Sequence, residues 1–185
     1  FYPTKNLGAT GDAGMLVTND DNLFHRAIKL RNYGQSSRYH HPSLGMNSRL
    51  DELQAAILIE RKKWLEEFTR KRQNIAEIYR LNINNNNVKQ LAPPEQSSAH
   101  VHHLFVLNCK KRNDLQTHLR KNNIESLIHY PISIHQQEPC KGIIYDPEGL
   151  NNSEYHSKTV LSLPCHPQMT EDDVGLVIAA VNSFK

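Results

Sequence analysis

Apolar residues fall most regularly between positions 48 and 81. They occupy Leu50, Leu53, Ile57, Trp64, Leu65, Phe68, Ile75, Ile78 and Tyr79, steps of three, four and seven that mark one helical face. Charged side chains fill the opposite face from Arg61 to Arg72. Ser48 and Asp51 give a capping-box-like start, with Asp where Glu is usual. The pattern predicts one helix over 48–81, roughly 50 Å long at about 1.5 Å per residue. That exceeds the width of a small domain, so the helix is expected to connect two domains or lie against a partner subunit.

The flanking segments are shorter. Residues 11–18 read as a strand, GDAGMLVT. Asn19 or Asp20 can cap a following helix whose apolar members are Leu23, Ala27, Ile28 and Leu30. A polar loop over 32–47 carries Tyr33, Tyr39, His40 and His41. Beyond an Asn-rich turn at 82–87, the pattern predicts a strand over 100–109, a helix over 113–121 and a strand over 124–130. A loop over 131–151 leads to a helix over 153–162. Thr170 caps a last helix with Val174, Ile178, Val181 and Phe184 on its apolar face. Strand, helix, strand and then helices suggest a small α+β layer. The expected organisation is 1–47, a connecting helix at 48–83, and a second unit at 84–185. No internal repeat is visible.

The bulk properties narrow the partners. The 185 residues allow one domain of ordinary size, and 38% apolar residues support a modest core. A mean hydropathy of −0.63 implies a polar surface. A net charge of +3 is too small to imply nucleic acid or membrane on its own. Three well-separated cysteines, Cys109, Cys140 and Cys165, contain no CxxC pair, which argues against a zinc site or disulfide framework. A reducing, cytoplasmic compartment is expected. His100, His102 and His103 could suggest a metal, but adjacent strand positions face opposite ways, so no metal is expected.

The opening segment is dense in candidate chemistry. Lys5 lies in an aromatic loop followed by Gly8, Gly11 and Gly14. A lysine that bonds reversibly to a carbonyl needs a neutral amine at some stage, and a crowded setting favours that form. This GxxGxxG spacing differs from the dinucleotide fingerprint GxGxxG. By itself, the lysine also reads as an ordinary surface residue. A chain that opens on Phe1 inside such a loop is expected to lack upstream material.

The whole string FYPTKNLGATGDAGMLVTND resembles the active-lysine segment of the DegT/DnrJ/StrS family of sugar aminotransferases. Phe1, Tyr2, Lys5, Asn6, Gly11, Asp12, Gly14, Val17, Thr18 and Asn19 carry the likeness. Four further matches follow in order: RNYGQ at 31–35, GMNSRLDELQAA at 45–56, HYPISIHQQEP at 129–139 and SLPCHPQMTEDDV at 162–174. The resemblance implies an α/β fold of fold type I, aspartate aminotransferase-like. Residues 1–47 would be the end of the large cofactor domain, and 84–185 the small α+β domain. It also implies pyridoxal 5′-phosphate as cofactor and a homodimer with shared active sites.

On that resemblance, Lys5 holds the cofactor and shuttles a proton during transfer from an amino acid, glutamate by expectation, to a keto-sugar nucleotide. Asn47 reaches the cofactor phosphate of a neighbouring subunit, and Arg49 adds positive charge near phosphate or pyrophosphate. A helix-preceding Asn and a solvated Arg are the plainer alternatives. His129, Tyr130 and His135 face the substrate, although His135 also reads as a packed structural residue. Tyr39 is a further substrate candidate. The motif set looks most like enzymes aminating dTDP-linked 3-keto-6-deoxyhexoses. The acidic partner of the pyridine nitrogen and the stacking aromatic would lie upstream, so the chain alone is expected to be inactive. Two other readings stand beside this one. Sugar dehydratase relatives place His at the lysine position, which Lys5 argues against. A non-catalytic dimerisation or regulatory module could be built around the long helix.

Overall fold

The computed structural model describes residues 1–96, 99–143 and 146–185 and divides into two compact units, Phe1–Leu65 and Glu66–Lys185. The first unit holds α1 (Asp21–Arg31) and α2 (Glu52–Lys62). Asp20 caps α1, accepting from the amides of Asn22 and Leu23, so the sequence signal for this start is confirmed. No residue of α1 is buried.

Residues 11–18 do not form a strand. A strand is stabilised by partners, and among the described residues none pairs with this segment. Val17 is accordingly 83% exposed.

The single helix expected over 48–81 is replaced by two. α2 begins at Glu52 with Asp51 as N-cap, and no side-chain cap bond forms there. It ends at Lys62, and α3 runs from Leu65 to Asn82. Between them the amides of Lys63 and Trp64 bond to carbonyls three residues back, those of Glu60 and Arg61. This tightening is typical of a helix end. The charges agree, with Arg61 and Lys62 in the last turn of α2 and Glu66 and Glu67 in the first turn of α3. Each end thereby meets its helix dipole with the favourable sign.

The second unit is a three-stranded antiparallel sheet with helices packed on it. β1 (Val88–Gln90), β2 (Phe105–Cys109) and β3 (Val160–Leu163) lie in that spatial order. Leu107 pairs with Gln90 on one side and Leu161 on the other. All four residues of β3 are buried, which is why VLSL carries no alternation that could reveal a strand. The helix expected over 153–162 is α5 (Asn151–Thr159), and the chain turns directly into β3. β2 is shorter than expected because the backbone turns before it, with His102 at a φ of 42°. The strand expected over 124–130 reduces to one bridge, Leu127 to Ser162. The loop expected over 131–151 contains two single 3-10 turns, Ile134–Gln136 and Glu138–Cys140. Its positions Ile144 and Tyr145 lie outside the described residues.

α4 (Arg112–Lys121) and α6 (Glu171–Ser183) complete this unit. Thr170 and Asp173 form a reciprocal capping box at the start of α6. The core joins Ile75 and Tyr79 of α3, Leu107 of β2, Leu115 and Leu119 of α4, Leu161 of β3 and Val181 of α6. Burying each such aliphatic side chain stabilises the fold by about 1.5–3 kcal/mol before entropy is counted.

Arg72 of α3 fastens the helix to the backbone around that core. Its Nη1 donates to the carbonyls of His103 (3.2 Å), His102 (3.4 Å) and Cys165. Carbonyl oxygens thus compensate the Nη1 end of a guanidinium that is almost fully buried.

Candidate active site

Lys5 sits on a tight turn, its amide bonded to the Tyr2 carbonyl at 2.9 Å, and its side chain is exposed. The loop closes on itself through the Ala9 amide and the Phe1 carbonyl at 2.8 Å. At Gly8 a Cβ would lie 2.4 Å from the Pro3 carbonyl oxygen, so only glycine permits this closure. Thr10 then ties the loop to α2. Its amide and its hydroxyl both donate to Gln54 Oε1 at 2.9 Å. Gln54 lies within the GMNSRLDELQAA string, which did not mark it as the partner of this loop.

Asn47 and Arg49 are brought together on a short paired segment. The Met46 amide bonds to the Leu30 carbonyl, the Ser48 amide to the Arg31 carbonyl, and Asn47 bridges Asn32. Arg49 Nε donates to Asn47 Oδ1 at 3.2 Å, and its guanidinium lies over the Tyr33 ring, 5.6 Å from the centroid. Cation–π geometry of this kind holds a guanidinium in place. With its oxygen accepting from Arg49, the Asn47 amide presents its NH2 end as donor. Tyr39 stands on a separate exposed turn, where Arg38 Nη2 donates to its hydroxyl at 3.1 Å.

Within the second unit, His129, Tyr130 and His135 line one cavity of about 660 Å³. Its other walls are largely aliphatic and include Val106, Ile132, Ile134, Leu150 and Val160. His129 Nδ1 contacts Ser162 Oγ of β3 at 2.9 Å, which orients its ring from the sheet. Tyr130 is 68% exposed. His135 is 11% exposed and pairs through Nε2 with Glu154 Oε1 at 3.1 Å. Glu154 carried no signal in the sequence, and Ser162 was marked only as the first residue of the 162–174 string; both become neighbours of the histidines through sheet and helix packing.

The other histidine group is structural. The His102 amide donates to His100 Nδ1 at 2.9 Å, and the two rings lie 4.1 Å apart. Burial, and then the charges of His100 and Arg80, push the His102 imidazole down to about 4. Cys165, buried beside Arg72, is pushed up to about 11 chiefly by burial. A thiol held protonated in this way is a poor nucleophile and metal ligand.

The family model described as the DegT/DnrJ/EryC1/StrS aminotransferase family matches residues 1–182. A dTDP-3-amino-3,6-dideoxy-alpha-D-galactopyranose transaminase of Aneurinibacillus thermoaerophilus is 42% identical, with all of this chain aligned to 54% of the relative. A UDP-N-acetyl-3-dehydro-alpha-D-glucosamine 3-aminotransferase of Acidithiobacillus ferrooxidans is 35% identical, over 98% of this chain and 48% of the relative. The solved structure of S. venezuelae DesV in complex with a ketimine intermediate superposes with a TM-score of 0.88 at 36% identity, covering 98% of this chain and 49% of that one. The chain spans about half the length of the curated relatives it matches. Its mixture of helices and sheet is a part of the α/β fold of the fold-type-I transferases.

Proposed function

This chain belongs to the DegT/DnrJ/EryC1/StrS aminotransferase family, whose members depend on pyridoxal phosphate, and from that premise we propose that the protein it represents transfers an amino group from an amino acid, glutamate by preference, to a keto-sugar nucleotide. The observation that carries the reading is Lys5, an exposed amine on a turn whose backbone is fixed at Gly8 and Gln54.

The residues present fit the cofactor at two ends. Lys5 supplies the primary amine that holds an aldehyde, and the Asn47 NH2 with the Arg49 guanidinium supplies donors for a phosphate. The bound cofactor supplies the electron sink for the chemistry. With the cofactor bound, the Lys5 amine would be the group placed to take the proton from the donor carbon that bears the nitrogen and to deliver it to the cofactor side, and to run the same transfer backwards for the acceptor. Tyr130 and His129 contact the sugar nucleotide, His135 closes the cavity beside them, and Tyr39 contributes from its exposed turn. The family reading further implies a homodimer in which Asn47 serves the neighbouring subunit, working in the cytoplasm.

Among nucleotide sugars, a dTDP-linked 3-keto-6-deoxyhexose is favoured. The relative at 42% identity is named for a dTDP-linked dideoxy sugar, although the relative at 35% identity is named for a UDP-linked one. No lysine or arginine is among the described residues lining the cavity, and its aliphatic walls suit a deoxygenated carbon better than a carboxylate.

Full-length protein loaded with pyridoxal phosphate is expected to show an absorbance band that borohydride fixes onto Lys5, located by peptide mapping. Turnover with glutamate is then compared for dTDP- and UDP-linked keto-sugars. A band that forms equally in Lys5→Ala, or a label on another lysine, overturns the assignment. Preference for the UDP-linked compound overturns only the sugar.

A further inference from the structure

The cavity wall nearest His135 depends on a residue with no signal of its own in the sequence. Residues 133–143 are held by bonds that are short in sequence. The Gln136 amide bonds to the Ser133 carbonyl, the Gln137 amide to the Ile134 carbonyl and the Cys140 amide to the Gln137 carbonyl. Such bonds shape the loop locally. The His135–Glu154 contact is of a different kind, because it reaches across 19 residues to the first turn of α5.

That turn is itself anchored. The Ser157 hydroxyl donates to the Glu154 carbonyl at 2.9 Å, and Arg112 Nη1 of α4 donates to the Ser157 carbonyl at 2.5 Å. At the far end of α5 the Thr159 hydroxyl donates to Asn108 Oδ1 of β2 at 2.9 Å. Glu154 is therefore a fixed post on the core, and His135 is where the loop meets it. The imidazole side chain is 11% exposed and the carboxylate side chain 35%. A pair this shielded is held more firmly than one on the open surface, since less water competes for either partner.

We propose that Glu154 is a positioning residue for the sugar nucleotide. Through His135 it holds the 132–135 stretch of the cavity lining in place, so that the cavity beside His129 and Tyr130 keeps its shape before the substrate arrives. Glu154 does not touch the reacting atoms. A pre-shaped wall lowers the ordering cost of binding, so its loss falls on substrate affinity rather than on the chemical step. The inference rests on the reading that this cavity receives the keto-sugar.

The test uses full-length, cofactor-loaded protein and measures the two half-reactions separately. Glu154→Ala is expected to raise KM for the keto-sugar nucleotide about tenfold, with kcat, cofactor affinity and the glutamate half-reaction within about twofold. Glu154→Gln keeps a side-chain acceptor for His135 and is expected to restore KM to within about threefold of wild type. Glu138→Gln serves as a charge-matched control from the same loop, because its carboxylate pairs with Lys141 at the surface. Unchanged keto-sugar KM in Glu154→Ala overturns the proposal. So does an equal loss in both half-reactions together with cofactor affinity, which marks a general folding role. A wild-type protein without a cofactor band overturns the parent reading and this inference with it.

Discussion

The two units of this chain differ in how their described residues are held. Every member of the core cluster lies between Ile75 and Phe184. Within residues 1–65 the buried apolar residues are Ala9 and Leu58, while Met15, Val17, Phe24, Leu44 and Leu53 are exposed. The first unit nevertheless carries Lys5, Asn47 and Arg49, and it holds them with backbone and side-chain hydrogen bonds rather than with a core. The second unit builds a sheet with an apolar core and contains its own cavity. Hydrogen bonds fix direction, whereas apolar burial supplies most of the free energy of folding. Within these 185 residues, the apolar core lies in the second unit, and the motif-marked groups of the first are held by hydrogen bonds.

The sharpest way to break this contrast is a matched pair of leucine truncations. Leu107→Ala in β2 removes a fully buried side chain and is expected to cost about 3 kcal/mol. Leu44→Ala removes one that is 95% exposed and is expected to change stability by less than about 0.5 kcal/mol. Urea denaturation followed by circular dichroism measures both. Equal losses would show that the first unit has a core comparable to the second.

Acid sensitivity should likewise belong to the second unit. The folded state holds His102 neutral down to about pH 4, whereas the unfolded chain protonates it below its ordinary value near 6.5. The unfolded state then binds more protons, so stability falls as pH falls from about 6.5 to about 4. One proton limits the slope to about 1.4 kcal/mol per pH unit. His102→Asn removes the titrating ring and suits the left-handed backbone at this position, where φ is 42°. Melting temperatures taken across that range are expected to flatten in the variant. An unaltered slope would place the acid sensitivity elsewhere.

The smallest effect concerns a single helix start. Thr170→Ala breaks the bond from the Asp173 amide to Thr170 Oγ1 and is expected to cost about 1 kcal/mol, read from the same denaturation curves. The Thr170 amide retains Asp173 Oδ2, so Asp173 continues to occupy the N-terminus of α6.

Local signals in the sequence were legible where a few neighbouring residues decide the outcome. Asp20 before α1, Thr170 before α6 and the apolar spacing of α3 and α6 all rest on bonds or faces within a turn or two of helix. The stop near Arg61 and Lys62 and the restart at Glu66 and Glu67 were also written in the charges, but the apolar spacing through Trp64 and Leu65 ran across them and suggested one helix. The site was legible only as motifs. Lys5, Asn47, Arg49, His129, Tyr130 and His135 were marked by their strings, and what each side chain does was not.

By itself, then, the sequence determined which residue types stand in which order, the helix starts and the family to which the order belongs. Tertiary structure alone decided that VLSL becomes β3 beside β2 and that His135 meets Glu154. The reason is common to both. A strand exists only with a partner, and a side-chain pair exists only when packing brings distant elements within about 3 Å.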